Sequence, residues 1–226
     1  MISKNEKMIS IISKASELTG TKLPVPPELD ENPPVKVILL GQPQQNLFGI
    51  LHDIFGGFDT LNRSFLHGYK VKIRYGTESK VLFCGAESDE NKVAETLSKF
   101  EMTEKNIVIQ IDVANEDLKD WELTVIASEN DFEDVDWLEL FSDADYCLFT
   151  LSSTALLSMA ERKSLRKWLL PYMNEQLGVI LTNDNLIFES DRPDIDAVLE
   201  RFFEKKTELF RLPEADGEKI REKFGK

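Results

Sequence analysis

The residues with the clearest chemical pattern lie in the segment 41–48, which follows a strand-like apolar run and precedes a helical one. A phosphate-binding loop, Gly-x-x-x-x-Gly-Lys-Ser/Thr, lies at such a junction, where N–H groups surround phosphates, the Lys neutralises them and the hydroxyl holds magnesium. Gly41 matches the first glycine, whereas Asn46, Leu47 and Phe48 stand at the second glycine, the Lys and the hydroxyl. The pattern therefore predicts a phosphate loop without its charged and metal-binding side chains.

Metal-ligating and nucleophilic residues form weaker patterns. The acidic run 129–136 lacks the ligand spacing and the glycine of a calcium loop, which favours a solvated acidic loop. His52 and His67 have no Cys or His close by in the sequence. Cys84 and Cys147 each lie inside an apolar run, which is typical of buried, reduced thiols. We expect neither a metal site nor a disulfide.

The elements that must position the loop follow an alternating pattern. From Val35 onward, strand-like runs alternate with helical patterns, which indicates an α/β domain with a mixed, mostly parallel sheet. The predicted strands are Val35–Leu40, Lys70–Tyr75, Val81–Cys84, Ile107–Ile111, Leu123–Ala127, Tyr146–Leu151, Gly178–Thr182 and Glu208–Leu212. The predicted helices are Leu47–Phe55, Asn91–Phe100, Leu156–Met173, Pro193–Lys205 and Glu214–Phe224.

Two local signals add detail to this pattern. The four residues Gly76–Ser79 join the strands Lys70–Tyr75 and Val81–Cys84, which predicts a β-hairpin. The hydroxyl-rich run Thr150–Thr154 is predicted to cap the helix that begins at Leu156.

The chain is predicted to have three parts. Residues 1–20 carry apolar side chains at helical spacing, which indicates an amphipathic helix. Residues 21–34 contain five prolines and are predicted to form a semi-rigid linker, and residues 35–226 form the α/β domain. No signal-peptide core is present, and no apolar run approaches the roughly 20 residues of a membrane span, so we expect a cytoplasmic protein.

The charge balance excludes some partners. The chain of 226 residues has 27 Lys and Arg against 41 Asp and Glu, a formal net charge of −14. Nucleic-acid and anionic-lipid surfaces select basic proteins, so this balance argues against nucleic acid and allows only indirect membrane association.

From Val35 to Leu212 the order of motifs resembles the GTPase domain of the dynamin-like family, especially the bacterial members. The segment Trp121–Asp131 resembles the strand that leads into the family's Asp-Thr-Pro-Gly, with Ala127 at the Asp and Ser128 at the Thr. The segment Gly178–Leu186 is similar to the strand before the guanine-reading Asn-Lys-x-Asp. There, Thr182 stands at the Asn, Asn183 at the Lys and Asn185 at the Asp.

The resemblance implies a P-loop GTPase-like three-layer domain whose nucleotide-binding residues are substituted. The positions that would touch GTP or GDP are Gly41, Gln45, Asn46, Leu47, Phe48, Ser128, Asn183 and Asn185. We expect no catalytic residue and no firmly bound cofactor, with weak binding of GTP, GDP or phosphate at most. The nucleotide site is expected to be partly filled by side chains.

The predicted function is a catalytically degenerate pseudo-GTPase that acts through protein interaction. Family members pair through their GTPase domains and carry a helical bundle, so the resemblance implies a related active GTPase or a second copy as the partner. It also implies that residues 2–18 form a bundle helix, and an amphipathic helix docked on its own domain or on another subunit fits the same pattern equally well. One alternative is a nucleotide-binding protein or slow GTPase in which Arg63, Lys70, Lys72 or Arg74 replaces the missing Lys. Another is an adaptor with an unrelated α/β fold.

Overall fold

The computed structural model describes residues 14, 33–58, 70–83, 85–89, 92–93, 95, 108–127, 141–170, 176–203, 207–212 and 216–224. The chain divides into two units, Met1–Pro34 and Val35–Lys226, and every element named below belongs to the second unit. The helix predicted over 1–20 and the linker predicted over 21–34 lie outside the described residues, apart from Lys14, Pro33 and Pro34.

The described residues form one sheet of nine strands. In chain order these are β1 Val35–Gly41, β2 Lys70–Tyr75, β3 Lys80–Phe83, β4 Ala86–Ser88, β5 Val108–Val113, β6 Trp121–Ala127, β7 Tyr146–Ser152, β8 Leu177–Thr182 and β9 Glu208–Arg211. All eight predicted strands are present, and β4 is additional.

The sheet has the order β4-β3-β5-β2-β6-β1-β7-β8-β9. Strands β6, β1, β7, β8 and β9 run parallel, and β2 is antiparallel to β6 and parallel to β5. Strand β3 is antiparallel to both β4 and β5. The sheet is therefore mixed and mostly parallel, as the alternating sequence pattern predicts.

Helices cover both faces of the sheet and give a three-layer domain. They are α1 Leu47–Phe55, α2 Met159–Ser164 with a π-helical turn over Leu165–Leu169, α3 Arg192–Phe203 and α4 Asp216–Phe224. Helices α1 and α4 contribute to one apolar core, and α2 and α3 to the core on the opposite face. In the first core, the rings of Phe55 and Trp121 meet edge to face at 5.0 Å.

The hairpin predicted between β2 and β3 is wrong. Strand β5 lies between them, with Ile73 of β2 opposite Ile111 and Val81 of β3 on the other side of Ile111. Strands in a sheet are about 4.8 Å apart, so the connection 76–79 spans roughly 10 Å instead of closing a tight turn. Ile111 is 2% exposed, which indicates that burial of an apolar strand outweighs the local turn signal.

The predicted start of the helix after β7 is also wrong. Helix α2 begins at Met159 because the Ser158 hydroxyl accepts a hydrogen bond from the Glu161 N–H, and the Glu161 carboxylate accepts one from the Ser158 N–H. Leu157 before the cap has a φ of 52°, which excludes the helix from this position. The predicted helix over 91–100 lies mostly outside the described residues.

Candidate functional site

The predicted site residues converge on one edge of the sheet. Strands β6, β1, β7 and β8 are parallel neighbours, so their carboxyl ends lie side by side. Gly41 at the end of β1 lies opposite Ala127 at the end of β6. In open α/β sheets ligands bind outside these strand ends. The described loops at this edge follow β1, β7 and β8.

The side chain of Gln45 occupies the inside of the loop after β1. Its Oε1 accepts a hydrogen bond from the Gln42 N–H at 2.9 Å, and its Nε2 donates to the Thr150 carbonyl at 3.2 Å. The Thr150 hydroxyl also reaches Gln45 Oε1 and lies 3.1 Å from the Leu40 carbonyl oxygen. In a phosphate loop, the N–H at this position would point toward the ligand. Here the Gln42 N–H is hydrogen-bonded to the Gln45 side chain instead.

Close packing fixes the backbone of this loop. A Cβ on Gly41 would lie 2.1 Å from Thr150 Oγ1, so only glycine fits at this point. Asn46 takes a left-handed conformation with a φ of 50°, which asparagine tolerates better than most residues. Its side chain caps α1 by accepting a hydrogen bond from the Gly49 N–H at 3.4 Å. A second loop N–H is thus used within the chain.

Leu47 and Phe48 belong to the apolar core. Leu47 is 0% exposed and Phe48 is 2% exposed, and both join the core cluster that includes Val37 and Leu39 of β1. Burying a side chain of this size contributes about 1.5–3 kcal/mol. At the two positions where a phosphate loop places its Lys and its hydroxyl, the first turn of α1 therefore stabilises the fold through apolar packing.

The loop after β8 holds the other predicted residues. Asn183 is exposed, has a φ of 59° and donates from Nδ2 to the Ser152 hydroxyl at 3.3 Å. Asn185 is exposed as well. Thr182 is 7% exposed, and its hydroxyl donates to the Leu151 carbonyl at 3.3 Å. The side chains of Thr182 and Asn183 join the end of β8 to the end of β7. Ser128, the remaining predicted position, lies outside the described residues.

Asp184 is a functional candidate in this loop that no sequence pattern predicted. Asp184 is fully buried and forms ion pairs with Arg192 of α3, at 3.1 Å, and with Arg211 of β9. The Ser153 hydroxyl donates to it at 3.3 Å, and Arg211 also pairs with Asp196. No local pattern marks this cluster, because its members come from four segments of the chain. The acidic group at this edge therefore anchors the loop.

Exposed apolar side chains follow Asp184 in the same loop, and another lies at the start of α2. Leu186 and Phe188 follow Asp184 and are 65% and 78% exposed, and Met159 at the start of α2 is 82% exposed. Large apolar side chains exposed together on a surface are a feature of protein interaction sites.

Three of the four cations considered as replacements for the loop Lys, which are Lys70, Lys72 and Arg74, lie on β2. Arg74 lies opposite Glu122, at the amino end of β6 and roughly 17 Å along that strand from Ala127. Its Nε donates to Asp112 Oδ1 at 2.8 Å. Burial raises the pKa of Asp112, but the hydrogen bonds from Arg74 and Gln110 outweigh burial and leave that pKa below its ordinary value. Arg74 is thus engaged away from the loop.

Lys72 also points away from the loop after β1. It lies opposite Thr124, on the sheet face opposite the one that α1 covers. Arg63 lies outside the described residues. Among the residues that the structure describes, no three His, Cys, Asp or Glu side chains cluster as metal ligands. None of the described helices combines the length and hydropathy of a membrane span.

Comparison with known proteins identifies the fold. No protein family and no curated protein matches the chain. A solved structure described as an oligomerised bacterial dynamin pair, with a mechanism for long-range sensing and tethering of membranes, matches 92% of this chain with a TM-score of 0.59 and 14% identity. This chain has a dynamin-like GTPase fold. The resemblance inferred from the motifs is confirmed at the level of the fold, and the alternative of an unrelated α/β fold is wrong.

Two further structures extend the comparison. A second structure of the dynamin pair matches 87% of this chain with a TM-score of 0.56 and 15% identity. The GTPase Era of Aquifex aeolicus matches 83% of this chain and 55% of its own, with a TM-score of 0.44 and 12% identity. This chain spans 43% and 38% of the two dynamin chains, which is less than half of their length.

Proposed function

We propose that this dynamin-like chain is a pseudo-GTPase that acts through protein interaction. The observation that carries the proposal is the burial of Leu47 and Phe48 in the core, at the positions of the phosphate-binding Lys and the magnesium-binding hydroxyl. A side chain packed in the core does not turn toward a ligand without leaving a cavity behind.

The energetic consequence is a large loss of nucleotide affinity. A charge-assisted contact of the missing kind contributes about 1.5–3 kcal/mol. Phe48 cannot ligate magnesium, Ala127 replaces the metal-contacting acid, and Asn185 lacks the carboxylate that reads guanine in the family. Several losses of about 2 kcal/mol each reduce affinity by more than about a thousandfold. The net charge of −14 opposes a triphosphate further.

We assign the interaction surface to Leu186 and Phe188, in the exposed loop after β8. The partner we propose is a second GTPase-fold chain, either another copy or a related active GTPase. The similar solved structure is described as an oligomerised dynamin pair, which supports a partner of this kind. Asp184 holds the loop in place, so the apolar side chains are presented from a fixed backbone and less conformational entropy is lost on binding.

A cytoplasmic location completes the proposal. Cys147 is a free thiol that is fully buried, and burial raises its pKa well above the ordinary value. A thiol of this kind is unreactive, and free thiols are typical of reducing compartments.

Isothermal titration calorimetry with GTP, GDP and ATP in the presence of magnesium tests the loss of nucleotide binding. We expect no saturable heat at micromolar nucleotide for the full chain. Saturable micromolar binding of any of the three nucleotides would overturn the pseudo-GTPase proposal and establish the nucleotide-binding alternative. Substitution of the candidate cations would then show which of them replaces the missing Lys.

Light scattering after size-exclusion chromatography tests the interaction surface, first on the chain alone and then on its mixture with an active dynamin-like GTPase from the same genome. We expect one of the two samples to contain an assembly, and we expect Phe188→Ala to disrupt that assembly. The control Val198→Ala removes an exposed apolar side chain from α3, 46% exposed, and leaves the assembly intact. Equal behaviour of the two variants would exclude this loop as the contact.

A further inference from the structure

A pocket lined by lysines lies on the sheet face opposite the one that α1 covers. It has a volume of about 250 Å³ and is lined by segments of β1, β2 and β6 and by residues 142–144 before β7. Three of its lining residues are Lys36, Lys70 and Lys72. The hydroxyls of Thr124 and Ser142 belong to the lining as well. The carboxylates of Glu122 and Asp143 also line the pocket, so its three lysines leave a formal charge of +1 in a chain whose net charge is −14.

The ion pairs that the described residues form on this face do not include Lys72. Lys36 pairs with Asp143 at 2.6 Å, and Asp112 pairs with Arg74 at 2.8 Å and with Lys80 at 3.7 Å. None of the ion pairs recorded among the described residues includes Lys72.

The strand register explains the environment of Lys72. Its cross-strand neighbours are Thr124 on β6 and Gln110 on β5, and both are neutral hydrogen-bonding residues. Lys72 itself is half-buried. The nearest carboxylates on this face, Glu122 and Asp112, both lie opposite Arg74 in the strand register. A half-buried ammonium group has lost part of its hydration, so an anion in the pocket would stabilise Lys72.

The size of the pocket limits the anion. Pockets for drug-sized ligands measure about 300–1,000 Å³, and a water molecule takes up about 30 Å³ of liquid. The 250 Å³ available therefore suits a compact group with several oxygen acceptors. Lys70 lies two residues before Lys72 on the same face, roughly 7 Å away, which suits one oxyanion contacted by both side chains.

We propose that this pocket is a binding site for a phosphate group, as free phosphate or a small phosphomonoester, with Lys72 as its principal cation. Lys70 contributes a second positive charge, and the Thr124 and Ser142 hydroxyls complete the set of donors. The site is independent of the proposed function, because it lies on the opposite face from Leu47 and Phe48.

An amide chemical-shift NMR titration of the full chain with inorganic phosphate tests the site, at a constant ionic strength maintained with chloride. Saturable shifts are expected at the amides of Lys70, Lys72 and Thr124. Lys72→Gln should weaken binding at least about fivefold, and Lys72→Arg should stay within about threefold of the wild-type affinity. Glycerol 3-phosphate in place of phosphate shows whether a monoester binds more tightly.

The matched control is Lys80→Gln, which removes the same charge from the same sheet face outside the pocket lining. We expect it to change the affinity less than about twofold. Equal weakening by the Lys72 and Lys80 substitutions would show unspecific screening and overturn the proposal. Shifts confined to residues 42–48 would assign the anion to the start of α1, and an absence of saturable shifts at millimolar phosphate would exclude the site.

Discussion

The loops that follow β1 and β8 lie at the same edge of the sheet, after parallel strands. They differ in whether their apolar side chains are buried or exposed. The first places Leu47 and Phe48 in the core, and the second leaves Leu186 and Phe188 65% and 78% exposed. Helix α1 begins directly after Asn46, so its first turn packs on the sheet. The second loop is attached to α3 and β9 through the buried Asp184 and its two arginines, while Leu186 and Phe188 stay outside.

The difference supports the proposal that this sheet edge serves as a contact surface and not as a nucleotide site. In the first loop, the groups that would receive phosphate are used internally, by Gln45 and by the packing of α1. In the second loop the acidic group is used as an anchor, and the side chains left outside are apolar. We therefore expect substitutions in the first loop to change the free energy of unfolding. Substitutions at the exposed positions of the second loop should change the association of the chain with its partner.

The largest expected effect is that of Leu47→Lys, which restores the Lys of a phosphate loop. We expect the free energy of unfolding to fall by at least about 4 kcal/mol, because an apolar contact is lost and an ammonium group is placed in the core. Chemical denaturation gives the size of the loss, and calorimetry with GTP should still show no binding. Leu47→Met, which conserves volume, should cost less than about 1.5 kcal/mol. A stable Leu47→Lys protein that binds GTP would mean that the loop is a phosphate site lacking one residue.

Removal of the anchor in the second loop should rank next. Asp184→Ala leaves Arg192 and Arg211 without their buried carboxylate and should lower the free energy of unfolding by about 3 kcal/mol or more. The control Asp196→Asn weakens a pair whose carboxylate side chain is 44% exposed, so it should cost less than about 1 kcal/mol. Similar losses from the two substitutions would show that burial of Asp184 does not set the strength of the cluster.

A smaller effect is expected where the first loop meets β7. Thr150→Val keeps the shape of the side chain but removes the hydroxyl between the Leu40 carbonyl and Gln45. One buried hydrogen bond contributes about 1 kcal/mol, so thermal unfolding should show a loss of about that size. Thr154→Val removes an exposed hydroxyl after the same strand and should stay within about 0.5 kcal/mol. No loss at Thr150 would mean that Gln45 is held by other contacts.

The ion pair on the opposite sheet face should show a weak dependence on pH. The pKa of Asp112 is lowered in the folded protein, so its contribution is fully present above the ordinary Asp pKa near 4 and is lost as pH falls through the folded value. Arg74 is 53% exposed, which keeps the effect of Arg74→Gln below about 1 kcal/mol at neutral pH. The stability difference between the variant and the wild type should shrink below about pH 4. A difference that does not change with pH would assign the contribution to packing.

The features that the sequence predicted depend on neighbouring residues. Every predicted strand is present, and α1 has the predicted bounds because the cap at Asn46 and the apolar spacing after it lie in one short segment. The position of β5 between β2 and β3 could not be predicted, because strand pairing depends on contacts between distant segments.

The same limit applies to the site. Gln45 could be placed in the loop from the motif, but its partner Thr150 lies 105 residues further along the chain. The Asp184 cluster joins four segments and left no local signal. The loss of nucleotide binding stays a prediction, since it concerns an affinity and not a position.

The smallest effect on stability should come from the second loop, where the same substitution can be compared directly with its effect in the first loop. Phe188→Ala removes a ring that is 78% exposed, so the free energy of unfolding should change by less than about 0.5 kcal/mol. The same substitution at Phe48, which is 2% exposed, should cost about 3–5 kcal/mol. Denaturation of both variants measures the contrast, and the effect of Phe188→Ala should appear instead in the mass of the assembly. Loss of more than about 2 kcal/mol at Phe188 would place its ring within the fold, and the two loops would then no longer differ in what their apolar side chains do.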